Sequence, residues 1–150
     1  MPRLSYQTAV STLIQLITIT VLGVPDTVIN IVASCHNSNP NCASNMIVSI
    51  IFYLMTTVWF VIILIVGYAA QKKRSRQLAV VLAGLEFVTL GVAGYLDYPN
   101  AANTISKMTS LIDVFLSIWI IYLALRLFLA GGRRVVKGPS IINRARKIIR

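Results

Sequence analysis

The chain has 150 residues, of which 57% are hydrophobic and 12% charged, and a formal net charge of +10. With a mean hydropathy of +0.77, it falls far from the roughly 25% charged composition of soluble domains, which leaves no sizeable water-facing bulk. About 100 residues lie in apolar stretches, so a second folded domain is excluded and an all-α, integral membrane four-helix bundle is expected.

Four stretches, Ala9–Ser34, Asn45–Ala70, Leu78–Leu96 and Ile105–Ala130, are long enough to cross a hydrocarbon core of about 30 Å at about 1.5 Å per helical residue. The bundle therefore occupies residues 1–132, and residues 133–150 form a basic tail. Short links make consecutive spans antiparallel neighbours.

Span one carries Ser11, Gln15 and Thr18, then Asp26 and Asn30, with a kink expected at Pro25. It ends at Cys35-His36-Asn37-Ser38-Asn39-Pro40-Asn41-Cys42, a polar, turn-prone loop able to bring its two cysteines together. A Cys35–Cys42 disulfide is expected in an oxidising compartment. Two thiols and His36 fall one ligand short of a closed zinc set, and His36 reads as a solvated loop residue. Val32-Ala33-Ser34-Cys35 has the outline of a lipobox, but the apolar segment before it is too long for a signal h-region and is interrupted by Pro25, Asp26 and Asn30.

Span two carries Asn45, Ser49, Tyr53 and Thr56 at helical spacing. The link that follows holds Lys72, Lys73, Arg74 and Arg76. Span three aligns Ala79, Ala83, Glu86, Thr89, Ala93 and Asp97, with Glu86 about 12 Å beyond the basic link by helical rise. Glu86 and Asp97, three turns apart, are expected on one face. Span four repeats the pattern with Ser106, Ser110, Asp113 and Ser117.

Basic residues set the expected orientation. Arg3, the link after span two and the residues after span four hold nearly all of them, whereas the two opposite loops hold only Lys107. The positive-inside rule then puts both termini in the cytoplasm (N-in/C-in), in a plasma or inner membrane. Such juxtamembrane clusters are topology signals and contacts to anionic lipid on the cytoplasmic side, and no nucleic-acid partner is expected. In the tail, Ser140–Arg150 segregates Ile141, Ile142, Ala145, Ile148 and Ile149 from Arg144, Arg146, Lys147 and Arg150. That pattern predicts a C-terminal interfacial amphipathic helix whose four basic residues contact anionic headgroups.

The acidic residues come closest to chemistry. There are four, Asp26, Glu86, Asp97 and Asp113, and each lies inside or at the rim of a span. An ionisable group at bilayer depth costs at least about 2.5–3.5 kcal/mol on insertion scales, which makes each one a functional candidate. Lys107 is the cation within reach of Asp113 and Asp97, and Glu86 has none unless Arg126 reaches it. A carboxyl in that position is either protonated or waiting for a cation. The expected function is therefore movement of cations, protons or a small solute through an acid-lined polar interior, by a channel or transporter-type subunit that assembles as a homo-oligomer or with a membrane-protein partner. The competing expectation is a non-transporting structural or assembly subunit, with the Ser, Thr and Asn stripes acting as interhelical glue.

Tetraspanins, claudins and connexins share a four-span outline, but the chain lacks the Cys-Cys-Gly of the first, the Trp and paired cysteines of the second's outer loop and the multiple loop cysteines of the third. No P-loop, His-Glu-x-x-His, nucleophile elbow or Cys-x-x-Cys pair is present, so neither an enzyme nor a cofactor is expected.

Overall fold

The computed structural model describes residues 2–36, 39–101 and 103–136, with side chains for 6–36, 39–101 and 103–130. The described residues are helical, with no strands. Helix α1 spans Pro2–Cys35, α2 spans Cys42–Lys73 and α3 spans Arg76–Gly91. The third span continues through a π-helical segment, Val92–Asp97, into the short α4, Tyr98–Asn100, and α5 runs Thr104–Val136. Four of these helical stretches, Tyr6–Cys35, Cys42–Lys73, Arg76–Asn100 and Thr104–Ala130, are long and apolar enough to cross a membrane. The Ser140–Arg150 amphipathic segment lies outside the described residues.

The links are tight for local reasons. Arg74 adopts the left-handed conformation at φ 46° and Ser75 is extended, so a two-residue turn reverses the chain between α2 and α3. Lys72 and Lys73 occupy the last turn of α2, where positive charge complements the helix C-terminus. At the opposite end Cys35 and Cys42 form a disulfide with Cα atoms 4.8 Å apart, which clips α1 to α2. Helix α1 runs unbroken through Pro25.

Helix α1 packs on α2 and α5, and α3 packs on α5 and α2, closing a four-cornered bundle. Its burial pattern reverses that of a water-soluble protein. Large apolar side chains such as Phe52, Met55, Phe87 and Phe115 point outward, while Gln15, Glu86 and Ser117 are fully buried. That is the arrangement a hydrocarbon solvent favours, since polar side chains find partners only between helices. Ile19, Phe60, Ile63, Leu82, Ile120 and Ala124 form the main apolar core. A smaller cluster, Ala70, Ala79 and Leu127, seals the basic end.

Close approach of α1 and α2 depends on two glycines. A Cβ on Gly67 would stand 3.0 Å from Thr12 Cγ2, and one on Gly23 would stand 2.8 Å from Tyr53 Cε2. Small residues at such crossings let backbones meet, which is how membrane helices gain packing contacts.

Candidate functional site: a carboxyl pair on one carboxamide

The polar faces of three spans meet at Gln15. In α1 the helical spacing of Thr8, Ser11, Thr12 and Gln15 turns all four inward. In α3, Leu82, Glu86, Thr89 and, further on, Ala93 recur at three- and four-residue steps and are buried. In α5 the same spacing buries Ser110, Asp113 and Ser117.

Gln15 Nε2 donates to Asp113 Oδ1 at 3.0 Å, to Glu86 Oε2 at 3.1 Å and to Ser117 Oγ at 3.3 Å. A carboxamide nitrogen has two protons, so these three acceptors share two N–H groups. The remaining oxygens, Gln15 Oε1 and Glu86 Oε1, are buried without a hydrogen-bond partner. Glu86 is fully buried and Asp113 is 7% exposed, and among the described residues no ion pair neutralises either. A neutral amide satisfies part of their hydrogen bonding but none of their charge, so charge balance here requires a proton or a small cation.

Arg126 and Arg76 are engaged elsewhere. The Arg126 guanidinium sits 5.6 Å from the centre of the Tyr122 ring and donates to its hydroxyl at 3.3 Å. Arg76 lies over Phe128 at 5.3 Å. Lys107 is exposed.

Asp113 is also the inner end of a cavity of about 350 Å³ between the disulfide-end halves of α1, α2 and α5. Asp26 and Asp97 line the same cavity, together with Phe52, Tyr53 and Phe60. Asp26 accepts from Asn103 Nδ2 at 3.2 Å, and Asp97 is within electrostatic reach of both Asp26 and Asp113. Three of the four carboxyls expected from the sequence thus line one cavity, and the fourth, Glu86, joins it through Gln15. Glu86 and Asp97 do not present alike: Glu86 is buried and Asp97 exposed. Asp97 ends the π-helical segment Val92–Asp97, which interrupts the α-helical winding between the two acids.

Around the cluster, further bonds tie helix to helix. Trp59 Nε1 donates to Thr89 Oγ1 at 2.9 Å, Trp119 Nε1 to Ser11 Oγ at 3.2 Å and the Tyr53 hydroxyl to the Thr20 carbonyl at 3.1 Å. Among the described residues no group of three or more His, Cys, Asp or Glu side chains is arranged to hold a metal ion. No protein family, characterised protein or solved structure matches the chain. Fold and site therefore define a multi-pass membrane protein with a carboxyl pair buried among its helices.

Proposed function

We propose that the protein is a channel or transporter-type subunit that moves cations, protons or a small solute through its acid-lined interior. The supporting observation is that Glu86 and Asp113 are buried side by side on a neutral carboxamide, with no ion pair among the described residues and Asp113 opening onto a cavity of about 350 Å³. Interhelical adhesion needs only hydroxyls and amides; a carboxyl at depth costs about 2.5–3.5 kcal/mol or more. Cation flux into proteoliposomes, compared between wild type and Glu86→Gln, tests this reading.

In this proposal both termini are cytoplasmic and the Cys35–Cys42 end faces the opposite side, in a plasma or inner membrane. The basic tail rests on anionic lipid through Arg144, Arg146, Lys147 and Arg150. In the same proposal the subunit works as a homo-oligomer or beside a membrane-protein partner.

The second reading is a non-transporting assembly subunit. The bonds from Trp59 to Thr89 and from Trp119 to Ser11 favour it, because they fasten helix to helix without involving a carboxyl. A wild type that carries no flux in proteoliposomes decides for this alternative.

A further inference from the structure

The wall of the cavity is rich in acceptors, although Thr27, Asn30, Ser49, Ser106 and Ser110 add hydroxyl and amide donors. Tyr53, Thr56, Thr57 and Thr109 line it, and each directs its hydroxyl proton at a backbone carbonyl: Tyr53 at Thr20, Thr56 at Phe52, Thr57 at Tyr53 and Thr109 at Ile105, at 2.8–3.1 Å. A hydroxyl with its proton engaged offers only lone pairs. Asp26, Asp97 and Asp113 add carboxylate acceptors, and among the described residues no Lys, Arg or His lines the cavity. Behind Asp113, Gln15 Oε1 and Glu86 Oε1 are two further acceptors, fully buried and without partners. The three carboxylates favour a ligand that brings positive charge and hydrogen-bond donors together.

Size and length narrow the class. A volume of about 350 Å³ is roughly ten times the 30 Å³ share of one water, so a bare proton or metal ion leaves it mostly to solvent. The acids stand at both ends. Asp26 is level with Asn103 and Asp113 is level with Gln15, which separates them by about 15 Å of helical rise on both α1 and α5. Between them lie the rings of Tyr53 and Phe60, suited to methylene chains and to the face of an ammonium group.

We infer that this cavity binds a linear organic cation with ammonium groups near both ends, of the polyamine class, one end held by Asp113 and the other by Asp26 with Asp97. The inference rests on the proposed cation-handling role of the interior and names its ligand class.

The test uses the full chain in nanodiscs and radiolabelled spermidine in equilibrium dialysis. Saturable binding is expected, with 1,6-diaminohexane competing at a concentration at least tenfold below that of n-hexylamine, and 1,6-hexanediol not competing. Asp113→Asn and Asp26→Asn should each weaken spermidine binding tenfold or more and erase the preference for two ammonium groups. Asp26, half-buried and outside the Gln15 cluster, keeps the test decisive should Asp113→Asn fail to fold. Absence of saturable binding, equal competition by diamine and monoamine, or undiminished binding by Asp26→Asn overturns the assignment. Glu86-dependent sodium or proton flux without spermidine binding overturns the ligand class and leaves transport standing; spermidine binding without any flux upholds the ligand class and removes transport.

Discussion

Gln15 Nε2 lies 3.0 Å from Asp113 Oδ1, so an amide of the first span is held by a carboxyl of the last. The same nitrogen reaches Glu86 Oε2 at 3.1 Å, which makes Gln15, among the described residues, the one donor common to both acids. Gln15→Leu should therefore destabilise the bundle by about 2–3 kcal/mol, because two buried acceptors lose their donor. Ser117→Ala removes one acceptor among three and should cost under about 1 kcal/mol. Thermal unfolding in detergent, followed by circular dichroism, ranks the two; equal effects would show that the carboxamide is not the common support.

Gly67 sets the spacing of α1 and α2 at the basic end, since its Cβ would meet Thr12 Cγ2 at 3.0 Å. Gly67→Leu should lower stability by about 1–3 kcal/mol through overpacking. Gly84→Ala, at a position with nothing within 4 Å, should be neutral. A Gly67→Leu protein that melts with the wild type would mean the two helices do not touch there in the membrane.

Cys35 and Cys42 are disulfide-bonded. A membrane-impermeant maleimide should leave both unmodified until a reductant is added, and then label them in cells from the side opposite the cytoplasm. Closing so short a loop contributes about 2 kcal/mol in the chain-entropy account, so the melt should shift downward on reduction. Labelling without reductant would contradict the bond, and labelling only after permeabilisation would reverse the topology.

The tail prediction concerns Arg144, Arg146, Lys147 and Arg150. Replacing all four by Gln should release a Ser140–Arg150 peptide from vesicles of anionic lipid and make no difference on zwitterionic ones, at about 1 kcal/mol per charge. Co-sedimentation reads the result, and insensitivity to lipid charge would refute the contact.

Spans and disulfide could be read from the sequence because each rests on a local property: apolar length for the helices, and two cysteines across a turn-prone loop for the bridge. What did not follow was who meets whom. Gln15 stood in the span-one stripe beside Ser11 and Thr18, yet its role depends on the order in which four helices surround one another, which no single helix encodes. A carboxamide at bilayer depth, costly without a partner, was the signal that could have singled it out. Lys107 and Arg126 were natural partners by proximity in sequence, but Arg126 lies over the Tyr122 ring instead.

The central claim is that Glu86 handles a cation or proton, and Glu86→Gln tests it most directly. The amide keeps the shape and removes the charge, and it is less costly to bury than a carboxylate. In proteoliposomes of matched protein content, a wild type that carries proton or monovalent-cation flux should lose at least about tenfold of it in the mutant, a barrier change of about 1.4 kcal/mol or more, while the thermal melt stays within about 1 kcal/mol of wild type. Undiminished flux through Glu86→Gln, measured beside a conducting wild type, would contradict the account.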